Sequence, residues 1–549
     1  MDLRRDVARA AIVALFVALA CGLAAAPALA DSPADEALTR ARRAAAADRH
    51  REAIRWYLAA IDRSPELQSE LGLELGHQYT WADSPDTAIV WYRLYLEEHP
   101  GDLDAGIGVA RALSWSDRLG EALDAYRALL PGAGARKNEV RLGIATVLSW
   151  QDKLWPARRM YEQILVEEPD NLEAHLGRAR VINWAGRHRE ARGLFAGLLE
   201  EYPDNPEVRG GLAAAHNWMG RPDRAVGVLE AAPRDSSLAA LEREIRRGRE
   251  PGGSYAFSHN EDSDDISRDT HTVRGEASAA WLTRVGVQYE RGEIDQPGLP
   301  RVTRDAVRVS VAQRFSEAVA LTVKPGYEWN SFDRGALGTE AFWQDGLDLF
   351  TLDAYLTVTP IDWVRADLGV FRGSIDNPVP VYRGIDVVET SAGVDWRLAP
   401  TVLTVTAASW TDYSDDNARL FATEKVEWKP AQRLPLPIRH RFTTTTAVAY
   451  YDFDKTLKHG YYNPDRYLSL YEVVGVEAEF GKRLRVEVTG RVAADRENSN
   501  DWFSGGSFGA SASLRTGGVT LNAGYYNSRS RFDTRAGYEA DGFWVGLER

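Results

Sequence analysis

Apolar and polar residues follow two different rhythms along the chain, and the change falls near residue 251. Residues 31–250 are rich in Ala, Leu, Arg and Glu with few β-branched positions, a helix-forming mixture. Residues 252–549 are rich in Val, Thr, Tyr, Trp, Gly and Asp, which favours strands and turns. A chain of 549 residues is also too long for one hydrophobic core, so at least two packed units are expected.

In the helical half Trp81, Trp115, Trp150, Trp184 and Trp218 recur at steps of about 34 residues, the tetratricopeptide period. Seven residues after each Trp comes Ala88, Ala122, Ala157, Ala191 or Ala225, and twelve residues before each of these stands Gly76, Ala110, Ala145, Ala179 or Ala213. Four residues after each alanine comes a bulky side chain, Tyr92, Tyr126, Tyr161, Phe195 or Leu229. Two antiparallel helices approach closely only where facing residues are small, and the large residue one turn on fills the groove beside them. Pro65, Pro100, Pro169 and Pro203 end repeats because proline cannot continue a helix. The third repeat ends in the looser Pro131-Gly132-Ala133-Gly134. With a first repeat around Ala53 and Tyr57, about six repeats stack into a solenoid, and Ser236–Arg247 reads as its capping helix.

From Gly253 onward the period is two. Val307, Val309 and Val311 alternate with Arg308 and Ser310; Val364, Ala366, Leu368 and Val370 with Arg365, Asp367 and Gly369; Leu484, Val486 and Val488 with Arg483, Arg485 and Glu487. Connections alternate in length. Tight turns are expected near Leu282-Thr283, Ser316-Glu317, Ile361, Ala399-Pro400, Gly481 and Gly517-Gly518, and long polar loops over 259–270, 291–303, 330–345, 373–385, 452–466, 495–503 and 527–537. Short turns alternating with long loops mark a transmembrane β-barrel, here of about sixteen antiparallel strands, with Pro430–Pro437 in place of one tight turn and a short outer loop near Thr411–Asn417. Trp281, Trp329, Trp363, Trp396, Trp410, Trp428 and Trp544 are expected in interfacial girdles; ordinary tryptophans of a sandwich core are the rival reading.

The apolar run Ala10–Ala20 is too short to span a bilayer and follows Arg4, Arg5 and Arg9, so residues 1–30 read as a signal peptide cleaved after Ala28-Leu29-Ala30. Cleavage removes Cys21, the sole cysteine, and with it any disulfide or thiolate chemistry; lipidation of Cys21 is the rival processing. The domains expected are thus 1–30 signal peptide, 31–250 periplasmic repeats and 251–549 outer-membrane barrel. A balance of 66 basic to 80 acidic residues argues against a nucleic-acid partner.

Candidate chemistry is sparse, and neither an enzyme, a cofactor nor a metal is expected. Gly505-Gly506-Ser507-Phe508-Gly509 has the form of a nucleophile elbow but runs into a small-residue strand, with no His and Asp partners placed by a matching motif. The run His259–Asp265 lacks the ligand spacing of a calcium loop and reads as a solvated charge run. The repeat tryptophans Trp81, Trp115, Trp150, Trp184 and Trp218 could stack on sugar rings or contact a partner, or could simply wedge a helix corner. In the barrel, Arg308, Arg365, Asp367, Asp395, Arg397, Lys425, Glu427, Glu477, Glu479, Arg483, Arg485, Glu487 and Arg491 fall at inward positions, implying a water-filled lumen unless the charges bridge one another and loops fold in.

This layout resembles the outer-membrane exporters of bacterial exopolysaccharides: the poly-N-acetylglucosamine and cellulose secretion porins and the YaiO-like barrel family. Leu113-Ser114-Trp115, Leu148-Ser149-Trp150, Ile182-Asn183-Trp184-Ala185-Gly186-Arg187 and Asn217-Trp218-Met219-Gly220-Arg221 are similar to their repeats, and Gly460-Tyr461-Tyr462-Asn463-Pro464 to the Gly-Tyr-Phe-Ser-Pro stretch of cellulose exporters. Asn463 replaces Ser, and the chain ends Glu548-Arg549 without a terminal aromatic residue. The resemblance implies a glycan-passing pore in outer-membrane lipid, its repeats guiding the polysaccharide chain or recruiting periplasmic proteins. A noncatalytic scaffold, anchored by its barrel and binding protein partners, is the alternative.

Overall fold

The computed structural model describes residues 32–231, 235–333, 347–430, 439–481, 483–529 and 539–549. The signal-peptide reading, Cys21 and most of the 330–345, 430–437 and 527–537 connections lie outside these residues. The chain forms two compact units: one holds the helices up to Ala185 together with Glu190–Leu212, the other Gly186–Arg189, Ala213–Ala231 and the chain from Leu241 onward.

The repeats are helical hairpins. Pro33–Ala46 pairs with His50–Arg63, Leu103–Trp115 with Leu119–Leu129, and Lys137–Trp150 with Leu154–Glu167, while Leu172–Trp184 precedes His188–Glu201. Gly72–Trp81 precedes Pro85–Glu98, Pro206–Trp218 precedes Pro222–Glu230, and Ser236–Arg247 follows. Repeats begin two residues after a proline, where Asp102, Asn171 and Asn205 accept a hydrogen bond from the backbone N–H of Ala105, Ala174 and Val208, capping otherwise unpaired donors. The turn inside each hairpin has one left-handed residue: Asp48, Asp83, Asp117, Asp152, Gly186 and Gly220 all have φ between 55° and 79°. Only Gly, Asn and Asp take that conformation at low cost. The next N–H then reaches back to the helix, Arg49 to Ala44, Ser84 to Tyr79, Arg118 to Leu113 and Lys153 to Leu148, each at 2.9–3.0 Å. The looser third joint is two single 3-10 turns, Leu130–Gly132 and Gly134–Arg136.

Ala53, Ala88, Ala122, Ala157, Ala191 and Ala225 are fully buried, and Tyr57, Tyr92, Tyr126, Tyr161 and Phe195 are at most 5% exposed, so the small and large positions interlock. A second set of small positions has the same period. A Cβ on Gly108, Gly143, Gly177 or Gly211 would come within 2.6 Å of the ring of Tyr92, Tyr126, Tyr161 or Phe195. Each ring therefore lies against the backbone of the next repeat's first helix, and this contact sets the stacking distance between repeats.

The second half forms a closed antiparallel barrel of sixteen strands. They are β1 (Gly252–Asp262), β2 (Ser267–Ala280), β3 (Thr283–Asp295), β4 (Val302–Arg314), β5 (Val319–Ser331), β6 (Leu347–Ile361), β7 (Val364–Ser374) and β8 (Asp386–Ala399). There follow β9 (Val402–Tyr413), β10 (Asn417–Trp428), β11 (Arg439–Phe453), β12 (Arg466–Phe480), β13 (Leu484–Glu497), β14 (Phe503–Thr516), β15 (Val519–Arg529) and β16 (Glu539–Glu548). Each strand pairs with its sequence neighbours, and β1 with β16, Ser254 opposite Glu548 and Asp262 opposite Ala540. Gly517 and Gly518, both at positive φ, make the two-residue turn whose twist suits a hairpin.

Three expectations need correction. The loops expected at 259–270 and 291–303 are mostly strand and the one at 495–503 is partly so, because β1 to β4, β13 and β14 continue into them, leaving 263–266, 296–301 and 498–502. Charged side chains on both faces removed the alternation signal there, while the backbone ladder continues. The 373–385 stretch is not a solvated polar loop: it contains a short helix, Pro378–Tyr382, in which Pro378, Pro380, Val381 and Tyr382 are buried. Val381 and Tyr382 pack with Ile294, Val302, Leu347 and Leu349. Finally, Trp544 does not share the girdle face, because it stands opposite Ser258 and Gly524, while the apolar outer row of β16 is Phe543, Val545 and Leu547.

A matched pair of glycine substitutions tests the ring-against-backbone packing. Gly177→Ala places a Cβ 2.3 Å from the Tyr161 ring, whereas Gly193→Ala meets nothing within 4 Å. Gly177→Ala is expected to cost about 1–3 kcal/mol and lower the melting temperature of the helical circular dichroism signal. Gly193→Ala is expected to raise it, helix propensity favouring Ala by about 0.5–1 kcal/mol.

Candidate functional site

Closure gives the sheet two unlike faces. One carries exposed apolar side chains, among them Val285, Val287, Val307, Val309, Val311, Leu368, Val370, Val488 and Val492. The other carries buried polar groups: Glu328 is 2% exposed, Arg304 8% and Asp495 1%. The registers make this second face the interior. Arg304 lies opposite Asn330 and Arg308 opposite Gly326, Arg365 opposite Asp395, Lys425 opposite Ala447, Glu477 opposite Glu487, and Arg491 opposite Ser507.

Every one of the thirteen charged candidates that lies in a strand falls on this inner face; Arg483 sits in the turn before β13. They are not spread evenly. Arg365 and Asp367 at the start of β7, Asp395 and Arg397 at the end of β8, Lys425 and Glu427 at the end of β10, Glu477 and Glu479 at the end of β12, and Arg485 and Glu487 at the start of β13 lie near the short turns. Arg308 and Arg491 stand at mid-height.

Within this belt many charges pair. Arg365 meets Asp367 at 2.9 Å, Arg485 meets Glu479 at 3.3 Å and Glu477 at 3.7 Å, and Glu427 meets Lys429 at 2.7 Å. Higher up, Arg308 bridges Glu290 at 3.2 Å and Glu328 at 3.6 Å. Pairing neutralises charge locally while leaving groups such as Arg485, 55% exposed, in contact with water.

Sequence reasoning missed a second cluster at the opposite end, away from the short turns. Arg304 holds Asp376 at 2.9 Å, Arg268 donates to the Asp376 carbonyl at 2.9 Å and pairs with Asp262 at 2.9 Å, and Glu328 accepts from Ser374 and from Asn330. These contacts anchor the inward-folded 375–385 segment to the inner wall. The sequence held one signal of this: Pro378–Tyr382 is apolar throughout, unlike a solvated loop. Asp262 is part of the expected charge run but is buried against Arg268, and His259 hydrogen-bonds Asp269. Ser507 lies inside β14 opposite Arg491, without the sharp strand-to-helix turn of a nucleophile elbow.

Each repeat tryptophan is the last residue of its helix. Trp81 and Trp115 meet edge to face at 6.3 Å, and Trp81 stacks on His50 at 6.2 Å. Trp150 packs on the core of its repeats, whereas Trp184 is 40% and Trp218 47% exposed. The set thus divides into packed and solvent-facing rings.

Residues 184–240 match the tetratricopeptide repeat family, and no curated protein matches the chain. Among solved structures, a bacterial polysaccharide outer membrane secretin is similar over 55% of this chain and 97% of its own, with 14% identity and a TM-score of 0.44. A tetratricopeptide repeat protein from Parabacteroides merdae is similar over 39% of this chain and 86% of its own, at 19% identity and TM-score 0.35. PilW, a type IV pilus biogenesis factor, is similar over 39% and 99%, at 16% identity and TM-score 0.33.

One turn before Trp81, His77 is edge-on to Tyr92 at 5.5 Å. Burial, reinforced by Arg111, lowers its pKa to about 4. In the unfolded chain it would bind a proton near 6.5, so its contribution to stability is full above pH 6.5 and is lost as pH falls towards about 4. The helical melting temperature is expected to fall across that window, and His77→Gln to flatten the fall; identical pH profiles for both proteins would contradict the assignment.

Proposed function

We propose that this chain is an outer-membrane porin for export of a bacterial exopolysaccharide, with its N-terminal repeats in the periplasm guiding the polymer or recruiting modifying enzymes. The observation that carries the reading is the two-faced wall of a closed sixteen-strand barrel: apolar side chains outside, hydrated ion pairs inside. An exposed apolar outer face on a closed sheet is what lipid requires, since each strand pairs with both neighbours around the ring and no edge is left open. A charged interior requires water, because desolvating so many charges would cost more than packing returns. Sixteen strands are wide enough for an aqueous path beside the inward-folded 375–385 segment and the paired charges. Motif similarity to cellulose exporters at Gly460–Pro464 supports a glycan as cargo.

In this reading an even strand number puts both barrel ends on one side, so the repeats and the short turns share the periplasm. The belt of Arg365, Asp367, Glu477, Glu479, Arg485 and Glu487 then forms the entrance. Residues 31–250 are proposed as a separate domain and should be soluble and mainly helical when produced alone; a strand-dominated circular dichroism spectrum would overturn that boundary.

Conductance of the reconstituted full-length protein tests the pore. Arg483→Gln with Arg485→Gln removes two positive charges while Glu477 and Glu479 remain, so permeability should shift towards cations with assembly intact. Val486→Arg, on the outer face but near the short turns, should instead cost only about 0–1 kcal/mol of barrel stability, whereas Val492→Arg, on the same face at mid-height, should cost about 2–4 kcal/mol. An unchanged ion preference in the double variant would remove these residues from permeation. A wild-type barrel that never conducts, even without residues 31–250, would favour the anchored scaffold.

A further inference from the structure

The inner face of β10 to β12 carries a run of aromatic rings that the ion-pair belt does not use. Phe421 on β10 lies opposite Tyr451 on β11, and Tyr451 opposite Tyr467 on β12. Ring centroids are 4.9 Å apart for Phe421 and Tyr451, and 5.8 Å for Tyr451 and Tyr467. The run continues into the long connection between β11 and β12, where Tyr462 meets Tyr467 edge to face at 6.1 Å. Tyr462 is 63% exposed, while the three strand residues are half-buried. The three strand rings therefore form a row across neighbouring strands, at one height near the end of the lumen remote from the short turns, and Tyr462 extends that row towards solvent. Arg491 lies 4.5 Å above Tyr471, two inward steps from Tyr467, and Arg419 lies 5.9 Å from the centre of the Tyr451 ring.

We infer that Tyr462, Tyr467, Tyr451 and Phe421 form a stacking subsite for pyranose rings of an equatorially substituted glycan, at the exit of the lumen. The inference rests on the export reading above and assigns it a binding surface. Such sugars present axial C–H groups on a flat face, which adhere to the negative face of an aromatic ring, and consecutive rings at sugar-sized spacing hold a moving chain without reading its sequence. A hydroxyl acceptor lies beside the rings. Asp495 stands opposite Ser469, one inward step from Tyr467, is 1% exposed and accepts a hydrogen bond from the Tyr467 hydroxyl, while its Oδ1 makes none among the described residues. A buried carboxylate oxygen without a partner is costly unless a ligand or water supplies a donor, and a sugar hydroxyl is such a donor.

The test is calorimetric binding of cellohexaose and of the N-acetylglucosamine hexamer to the full-length protein in detergent, alongside conductance. Binding of at least one hexasaccharide is expected. Tyr451→Ala with Tyr467→Ala should lower affinity at least tenfold, and Tyr451→Phe should retain it, because stacking needs the ring and not the hydroxyl. Heat-modifiable migration on gels checks barrel assembly, and Tyr462→Ala, on an exposed residue, serves if the double alanine variant does not assemble; it should weaken binding several-fold. Failure of the wild type to bind either sugar, or alanine variants that bind as wild type does, overturns the subsite. A conducting wild type that binds neither sugar would leave the pore standing and remove only this assignment; a barrel that binds sugar through these rings but never conducts would remove the pore alone.

Discussion

Closure of the sheet through the β1–β16 pairing is the constraint on which the second half depends. An open sheet of this length would leave two edges of unpaired N–H and C=O groups; the ring leaves none. Once closed, every side chain has only two destinations, and each strand's parity is fixed by both neighbours. That is why Trp544 faces inward although its residue type suits an interface: Ser258 on one side and Gly524 on the other hold its position, and a Cβ on Gly524 would lie 2.5 Å from the indole nitrogen. The same constraint collects charges from strands distant in sequence into one belt.

In the helical half a different contact does the organising. Aromatic rings on the second helix of a repeat press on the bare backbone of the next, so stacking is set by rigid surfaces rather than by flexible side chains. A one-residue left-handed turn and a backbone cap repeat with it, and together they fix where each first helix stops. Each tryptophan sits at that stop, which explains both its period and its mixed burial. The period is a consequence of hairpin geometry, and what each ring touches depends on its neighbours.

The inner wall is divided by height. Near the short turns, mixed charges are paired yet wet; at the other end, buried pairs such as Arg304 with Asp376 tie down the 375–385 segment, and a Cβ on Gly460 would lie 2.3 Å from Val379, so two connections meet there. Gly460 thus belongs to a motif noticed for its resemblance, and its structural reason is the close approach of another segment at positive φ.

The sequence alone determined what is carried by spacing between near neighbours. The 34-residue period, the small and large positions of the hairpins, the alternation of Val307–Val311 and Leu484–Val488, the tight turns and the sixteen strands are all local, because 3.6- and 2-residue periods decide which side a residue faces. Strand ends such as 259–262 and 267–270 escaped, since charge on both faces erases alternation while leaving the backbone ladder intact. Only the tertiary structure decided which inward residues meet: Arg485 with Glu479 across β12 and β13, Phe421 with Tyr451 and Tyr467 across three strands, Arg304 with Asp376 across a returning segment. Those partnerships depend on cross-strand register and on the path of the connections, which are set by global closure and packing, not by the spacing of residues along the chain.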